Sequence, residues 1–98
     1  MKIKIGTSQF SCIKDNVKEN MNKSLDLALK AASQKVNVFL LQELFQTQYF
    51  CSTQNSKFFD LAITFPNSEI FEVFSNFCKH HEIVIPISFF ERYGQNYF

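Results

Sequence analysis

Polar and apolar residues alternate in Lys2-Ile3-Lys4-Ile5, and the segment through Phe10 reads as a first β-strand. Asp15 or Asn16 then offers an N-cap, with Lys18-Glu19 in the turn that follows. From there Val17, Met21, Leu25, Ala28, Leu29 and Ala32 recur at three- and four-residue steps. That spacing predicts an amphipathic helix ending near 33–35. Val36 to Leu41 is an almost continuous apolar run, the pattern of a buried parallel strand. Gln42 to Ser56 loses periodicity and reads as a long loop leaving the carboxyl end of that strand. Lys57 to Ala62 adds a short helical turn. Pro66 and Ser68 mark a break and a cap, and a second helix follows with Ile70, Val73, Phe74, Phe77 and His81 as its inward stripe. Ile83 to Phe90 predicts a third apolar strand. Glu91 to Asn96 reads as a hairpin turn, with Tyr97-Phe98 opening the return strand.

The expected class is α/β, with the order β-α-β-α-β-β. The third strand is too apolar on both faces to be a comfortable sheet edge, and the chain stops on two aromatics where a strand begins. Both features lead to the expectation that residues 1–98 form the N-terminal part of one larger domain. An apolar sheet face left uncovered in such a segment would favour self-association.

Composition narrows the function classes. Of the 98 residues 46% are hydrophobic and 16% aromatic, thirteen of them Phe, which excludes a disordered linker. Ten basic residues against nine acidic ones leave no electrostatic footprint for nucleic acid or an anionic membrane. The apolar runs are too short to span a bilayer, and Gly6-Thr7-Ser8-Gln9 interrupts any signal-peptide core. A cytoplasmic protein is the default expectation. Cys12, Cys51 and Cys78 are odd in number and widely spaced, which fits reduced, partly buried thiols better than a disulfide or redox motif. Adjacent His80 and His81 cannot grip one ion as an i, i+4 pair would, so no metal site is expected. The turn after the first strand holds Phe10-Ser11-Cys12-Ile13 and no glycine, which disfavours a nucleotide cofactor.

The clearest candidate for chemistry is Glu43, in Leu40-Leu41-Gln42-Glu43-Leu44-Phe45. Ligands in open α/β sheets gather at the carboxyl ends of strands, where Glu43 falls. A carboxylate among apolar neighbours is also where desolvation raises a pKa into the range useful for proton transfer. Position alone leaves open a glutamate that simply projects into solvent. Cys51 follows eight residues later, but nothing in the sequence aligns it with Glu43 and either histidine as a nucleophilic arrangement.

Four blocks then resemble a known pattern: Lys4 to Cys12, the Gln42-Glu43-Leu44-Phe45 block, Tyr49-Phe50-Cys51, and Ile85-Pro86-Ile87-Ser88-Phe89-Phe90-Glu91. Together they resemble the carbon–nitrogen hydrolase (nitrilase) superfamily, most nearly its N-carbamoylputrescine amidase branch, across essentially the whole chain. The resemblance implies an α-β-β-α sandwich, of which this is the N-terminal part, and a Glu-Lys-Cys triad with Glu43 as general base. It implies a small carbamoyl amine substrate, N-carbamoylputrescine in that branch, hydrolysed to putrescine, ammonia and carbon dioxide in polyamine synthesis. Ureidopropionase-like and omega-amidase-like hydrolases are the alternatives within the superfamily, and a non-catalytic fragment or interaction module is the alternative outside it. No cofactor is implied, Tyr49 is a substrate-pocket residue by the same resemblance, and the full-length protein would be a homo-oligomer. The lysine and the nucleophilic cysteine would come from farther along such a chain. Cys12, Cys51 and Cys78 lie at the wrong positions to inherit the nucleophile's role, so residues 1–98 alone are expected to be inactive.

Overall fold

A computed structural model describes residues 1–53 and 55–98; Gln54, within the loop expected over 42–56, lies outside the described residues. Strand β1 (Ile5–Thr7) is followed by helix α1 (Val17–Ser33), strand β2 (Val38–Leu40), helix α2 (Glu69–His81) and a hairpin of β3 (Arg92–Tyr93) and β4 (Asn96–Tyr97). Two 3-10 segments, Phe50–Ser52 and Ser56–Leu61, interrupt the connection from β2 to α2. β1 and β2 pair in parallel, with Ile5 opposite Val38, Gly6 opposite Phe39 and Thr7 opposite Leu40.

The letters of the element order repeat the expected string, but for a different reason. The strand expected over 83–90 reduces to one parallel bridge between Val84 and Val38, and the two last strands are the arms of the hairpin. Val84 donates to the Asn37 carbonyl and accepts from the Phe39 N–H, both at 2.9 Å. Beyond it the chain leaves β2, and Pro86 has no N–H to extend a ladder. The first and second strands are likewise shorter than expected. The hairpin is tighter than expected, its arms lying largely inside the stretch read as turn: Gly94, at φ +62°, takes the first central position of a two-residue turn and supplies the positive φ required there.

Asn16 caps α1 as expected, its Oδ1 accepting from the Glu19 N–H at 3.1 Å. Ser68 occupies the cap position of α2 but its hydroxyl donates to the Thr64 carbonyl at 2.9 Å, so it fastens the preceding turn and not the helix. The buried line of α1 is Asn20, Ser24, Ala28 and Ala31, flanked by half-buried Met21 and Leu25. Val17 and Leu29, assigned to the stripe from spacing, are exposed. The 3.6-residue period fixed a face, and the packed loops then selected its polar edge.

Ala28, Ala31, Phe39, Ile70, Phe74, Ile83 and Ile85 form one core cluster, which places both helices against the side of β2 that carries Phe39. Gly6 shares that side. A Cβ there would come within 3.2 Å of the Phe39 ring and 3.3 Å of Val36, so glycine permits the close approach. Directly paired residues of a parallel sheet share a face. Ile5, Val38 and Val84 therefore form an apolar row on the opposite side, where Ile5 is 63% and Val84 60% exposed. The radius of gyration, 14.2 Å, exceeds the roughly 12.5 Å expected of a compact chain this long. No helix among the described residues is long and apolar enough to cross a membrane.

Candidate functional site

Three residues past β2 the chain turns sharply, and Glu43 sits on the turn. Leu44 adopts a left-handed backbone, φ +53°, which is costly for a branched side chain and persists only where its surroundings enforce it. Those surroundings are visible on both sides. The Leu44 N–H donates to the Ser88 hydroxyl at 3.2 Å. Phe45 is fully buried and meets the Phe74 ring edge-on at 5.4 Å between centroids. Burial of such a ring is worth about 2–3 kcal/mol. On the other side the Gln42 side chain donates to the Phe10 carbonyl at 2.7 Å and accepts from the Phe10 N–H at 3.4 Å.

Asn20 fastens the same loop from beneath. Its amide donates to the Ile13 carbonyl at 2.9 Å and to the Gln46 carbonyl at 3.1 Å, while its oxygen accepts from the Ile13 N–H at 2.7 Å. Cys12 adds a thiol hydrogen bond to the Phe45 carbonyl at 3.1 Å. The loop after β1 and the loop after β2 are thus laced together around Glu43. Sequence reasoning missed Asn20, Gln42 and Ser88. The available signal was a polar line, Asn20 to Ser24, on the buried side of an otherwise apolar helix face, and an amide at the end of an apolar strand run.

The carboxylate of Glu43 is exposed, which corrects the expectation of a desolvated group. Its apolar neighbours Leu44 and Phe45 bury themselves and leave it outward. It does not project into open water away from any concavity, however. With Gln9, Phe10, Cys12, Gln42 and Tyr49 it lines a cleft of about 400 Å³ between the two loops. It also borders a smaller apolar hollow of about 240 Å³ with Ser88, Phe89, Phe90 and Cys51.

Tyr49 is in the same cleft, itself exposed. The Glu43 carboxylate beside it, and secondarily the Cys51 thiol, push the phenol above its ordinary range. Near neutral pH it therefore stays a neutral O–H donor facing an acceptor. Burial pushes the Cys12 thiol up, opposed by its hydrogen bond with Gln42 and the charge of Lys23. Burial likewise raises Cys78, opposed by a backbone hydrogen bond at Ile85. Cys51 is exposed, unlike the partly buried thiol expected, because the 3-10 segment turns it outward while Phe50 packs against Phe58 and Phe90. His81 packs on Phe77 at 4.4 Å between centroids, at the C-terminal end of α2. A second hollow of about 360 Å³ is walled by Phe50, Phe58, Phe59 and Phe90. It is more apolar than the Glu43 cleft but carries no carboxylate.

Comparison with known proteins covers nearly the whole chain. Citrullinase of Francisella tularensis subsp. tularensis is 40% identical over 92 residues, covering 94% of this chain and 32% of that protein. N-carbamoylputrescine amidase of Oryza sativa subsp. japonica is 37% identical over 90 residues, 92% of this chain and 30% of that protein. The crystal structure of a carbon-nitrogen hydrolase from Helicobacter pylori G27 superposes with a TM-score of 0.79 at 30% identity, over 97% of this chain and 32% of that one. The chain thus spans about a third of the length of the relatives it matches. Residues 4–98 match the model of the carbon-nitrogen hydrolase family, and the chain belongs to that family.

Proposed function

We propose that this chain supplies the general base, Glu43, to a hydrolase that cleaves the carbon–nitrogen bond of an N-carbamoyl amine. One observation carries the reading: a carboxylate at the carboxyl end of β2, on a turn braced from both sides, opens on a cleft it shares with a neutral phenol. In the proposed reaction Glu43 accepts the proton of a cysteine thiol, and the thiolate adds to the carbamoyl carbon. A lysine stabilises the oxyanion, and the proton held on Glu43 passes to the departing nitrogen. Water, deprotonated by Glu43, then releases the acyl group. Tyr49, as donor, faces the same cleft and would orient the ureido oxygen. The proposal places the lysine and the cysteine in the two thirds of the relatives' length that this chain does not span, and residues 1–98 within one domain of an α-β-β-α sandwich. The whole protein is proposed to act as a homo-oligomer.

N-carbamoylputrescine is the first substrate to test, with putrescine, ammonia and carbon dioxide as products in polyamine synthesis. The similarity to a citrullinase favours citrulline as a second. The two molecules carry the same terminal ureido group and differ by a carboxylate on the carbon that bears the amine. Ammonia release by the full-length protein should be measured on both, and on carbamoyl-β-alanine. Glu43→Gln is expected to lower kcat by about 10²–10⁴-fold, the span of general base catalysis. Turnover unchanged in that variant would refute the role given to Glu43.

A further inference from the structure

We propose that Gln42 is a positioning residue for Glu43, and that it acts by replacing two rungs of the β1–β2 ladder with its side-chain amide. The proposal rests on the reading of Glu43 as the general base. In the parallel pair, Val38 donates to the Lys4 carbonyl and Ser8 donates to the Leu40 carbonyl at 3.0 Å. Continued two residues at a time, that ladder would join the Phe10 N–H to the Gln42 carbonyl and the Leu44 N–H to the Phe10 carbonyl.

Neither rung takes that form. The Phe10 N–H goes to Oε1 of Gln42 at 3.4 Å, and the Phe10 carbonyl receives Nε2 of Gln42 at 2.7 Å. The Leu44 N–H, released from the sheet, goes to the Ser88 hydroxyl. A glutamine amide is a peptide group on a two-methylene arm, with one C=O and an N–H₂, so it satisfies both polar atoms of Phe10 at once. Inserting that arm holds the two chains farther apart than a backbone ladder allows. The cleft bearing Glu43 and Tyr49 lies at this divergence, with the joined Phe10 and Gln42 both in its lining. Nε2 also contacts the Cys12 sulfur at 3.7 Å, which extends the brace toward α1.

Glu43 is thereby suspended between two fixed points, Gln42 on Phe10 and Leu44 on Ser88. Its backbone has little freedom to rotate the carboxylate away. Misplacement of a reacting group by about 1 Å costs on the order of 10²-fold in rate, so the brace should act on turnover more than on substrate affinity. Leucine at position 42 fills similar volume and makes neither hydrogen bond. Asparagine keeps the amide but is one methylene too short to reach Phe10.

The test uses the full-length protein with N-carbamoylputrescine and with citrulline, whichever is turned over. Gln42→Leu and Gln42→Asn are each expected to lower kcat by about 10–100-fold while KM stays within about threefold. In a Glu43→Gln background, Gln42→Leu is expected to cost less than about twofold more, because no base remains to be positioned. Wild-type kcat in Gln42→Asn overturns the inference, as does a loss confined to KM or an equal fold-loss in both backgrounds. Those outcomes leave Glu43 as the base. Full turnover by Glu43→Gln alone instead removes the base assignment, and the positioning role falls with it.

Discussion

Replacing Asn20 by alanine should reveal how much of the loop framework rests on one buried amide. Asn20 is 0% exposed and makes three hydrogen bonds, one to the carbonyl of buried Gln46 and two to the backbone of Ile13. Truncation leaves the Gln46 carbonyl without a partner in the interior, at about 1–3 kcal/mol, and loses roughly 1 kcal/mol at each Ile13 group. The gain in helix propensity from Asn to Ala returns about 0.5 kcal/mol. The expected net loss is about 3 kcal/mol. Ser24 is the internal control. It lies one turn along the same helix, is also 0% exposed, and donates only to its own helix, to the Met21 carbonyl at 2.7 Å. Ser24→Ala should change stability by less than about 1 kcal/mol, because no other segment loses a partner. Urea unfolding of the full-length protein, read as a shift of midpoint at constant slope, compares the two. Equal losses would show that burial of polarity, and not the tie between loops, sets the cost.

Two further outcomes follow from the same geometry. On the native protein, iodoacetamide near neutral pH should label Cys51 before Cys12 and Cys78, since Cys51 is exposed and burial pushes the other two thiols up. The gap should narrow as pH rises, because thiolate forms at the raised sites only above the ordinary range. Peptide mapping showing Cys12 alkylated as fast as Cys51 at neutral pH would refute it. Because the folded state prefers these two thiols protonated, their contribution to stability is full below the unfolded thiol pKa and is lost as pH climbs through the raised values. The isolated 98-residue chain should self-associate through the row of Ile5, Val38 and Val84, and Val84→Lys should lower its apparent mass in light scattering. A clean monomer before substitution would count against that face as an adhesive surface.

Much of the local structure was legible from spacing. Asn16 as a cap, α1 and α2 with their apolar stripes, the parallel β2 and the Gly94 turn all follow from rules acting within a few residues. The carboxylate at the end of β2 was legible for a similar reason: strand ends in α/β sheets face the ligand side, whatever the details of packing. Less was legible where one segment decides the state of another. The run over 83–90 has the composition of a strand, yet Val84 alone among the described residues of that run bridges to β2, which diverges after Leu40.

The sequence by itself determined where the two helices and the β1–β2 pair lie, the apolar positions available to a core, and an acidic residue at the end of β2. Tertiary structure decided which polar residues go inside. Asn20 and Gln42 carry the same kind of amide as solvent-facing residues near them, and the backbone groups brought to them from 7 to 32 residues away make their inward placement favourable. It decided also that Glu43 stays exposed, since Leu44 and Phe45 have a core to enter and the carboxylate has none. Periodicity reads a side chain's own hydrophobicity, and hydrogen-bond partners distant in sequence lie outside what it can report.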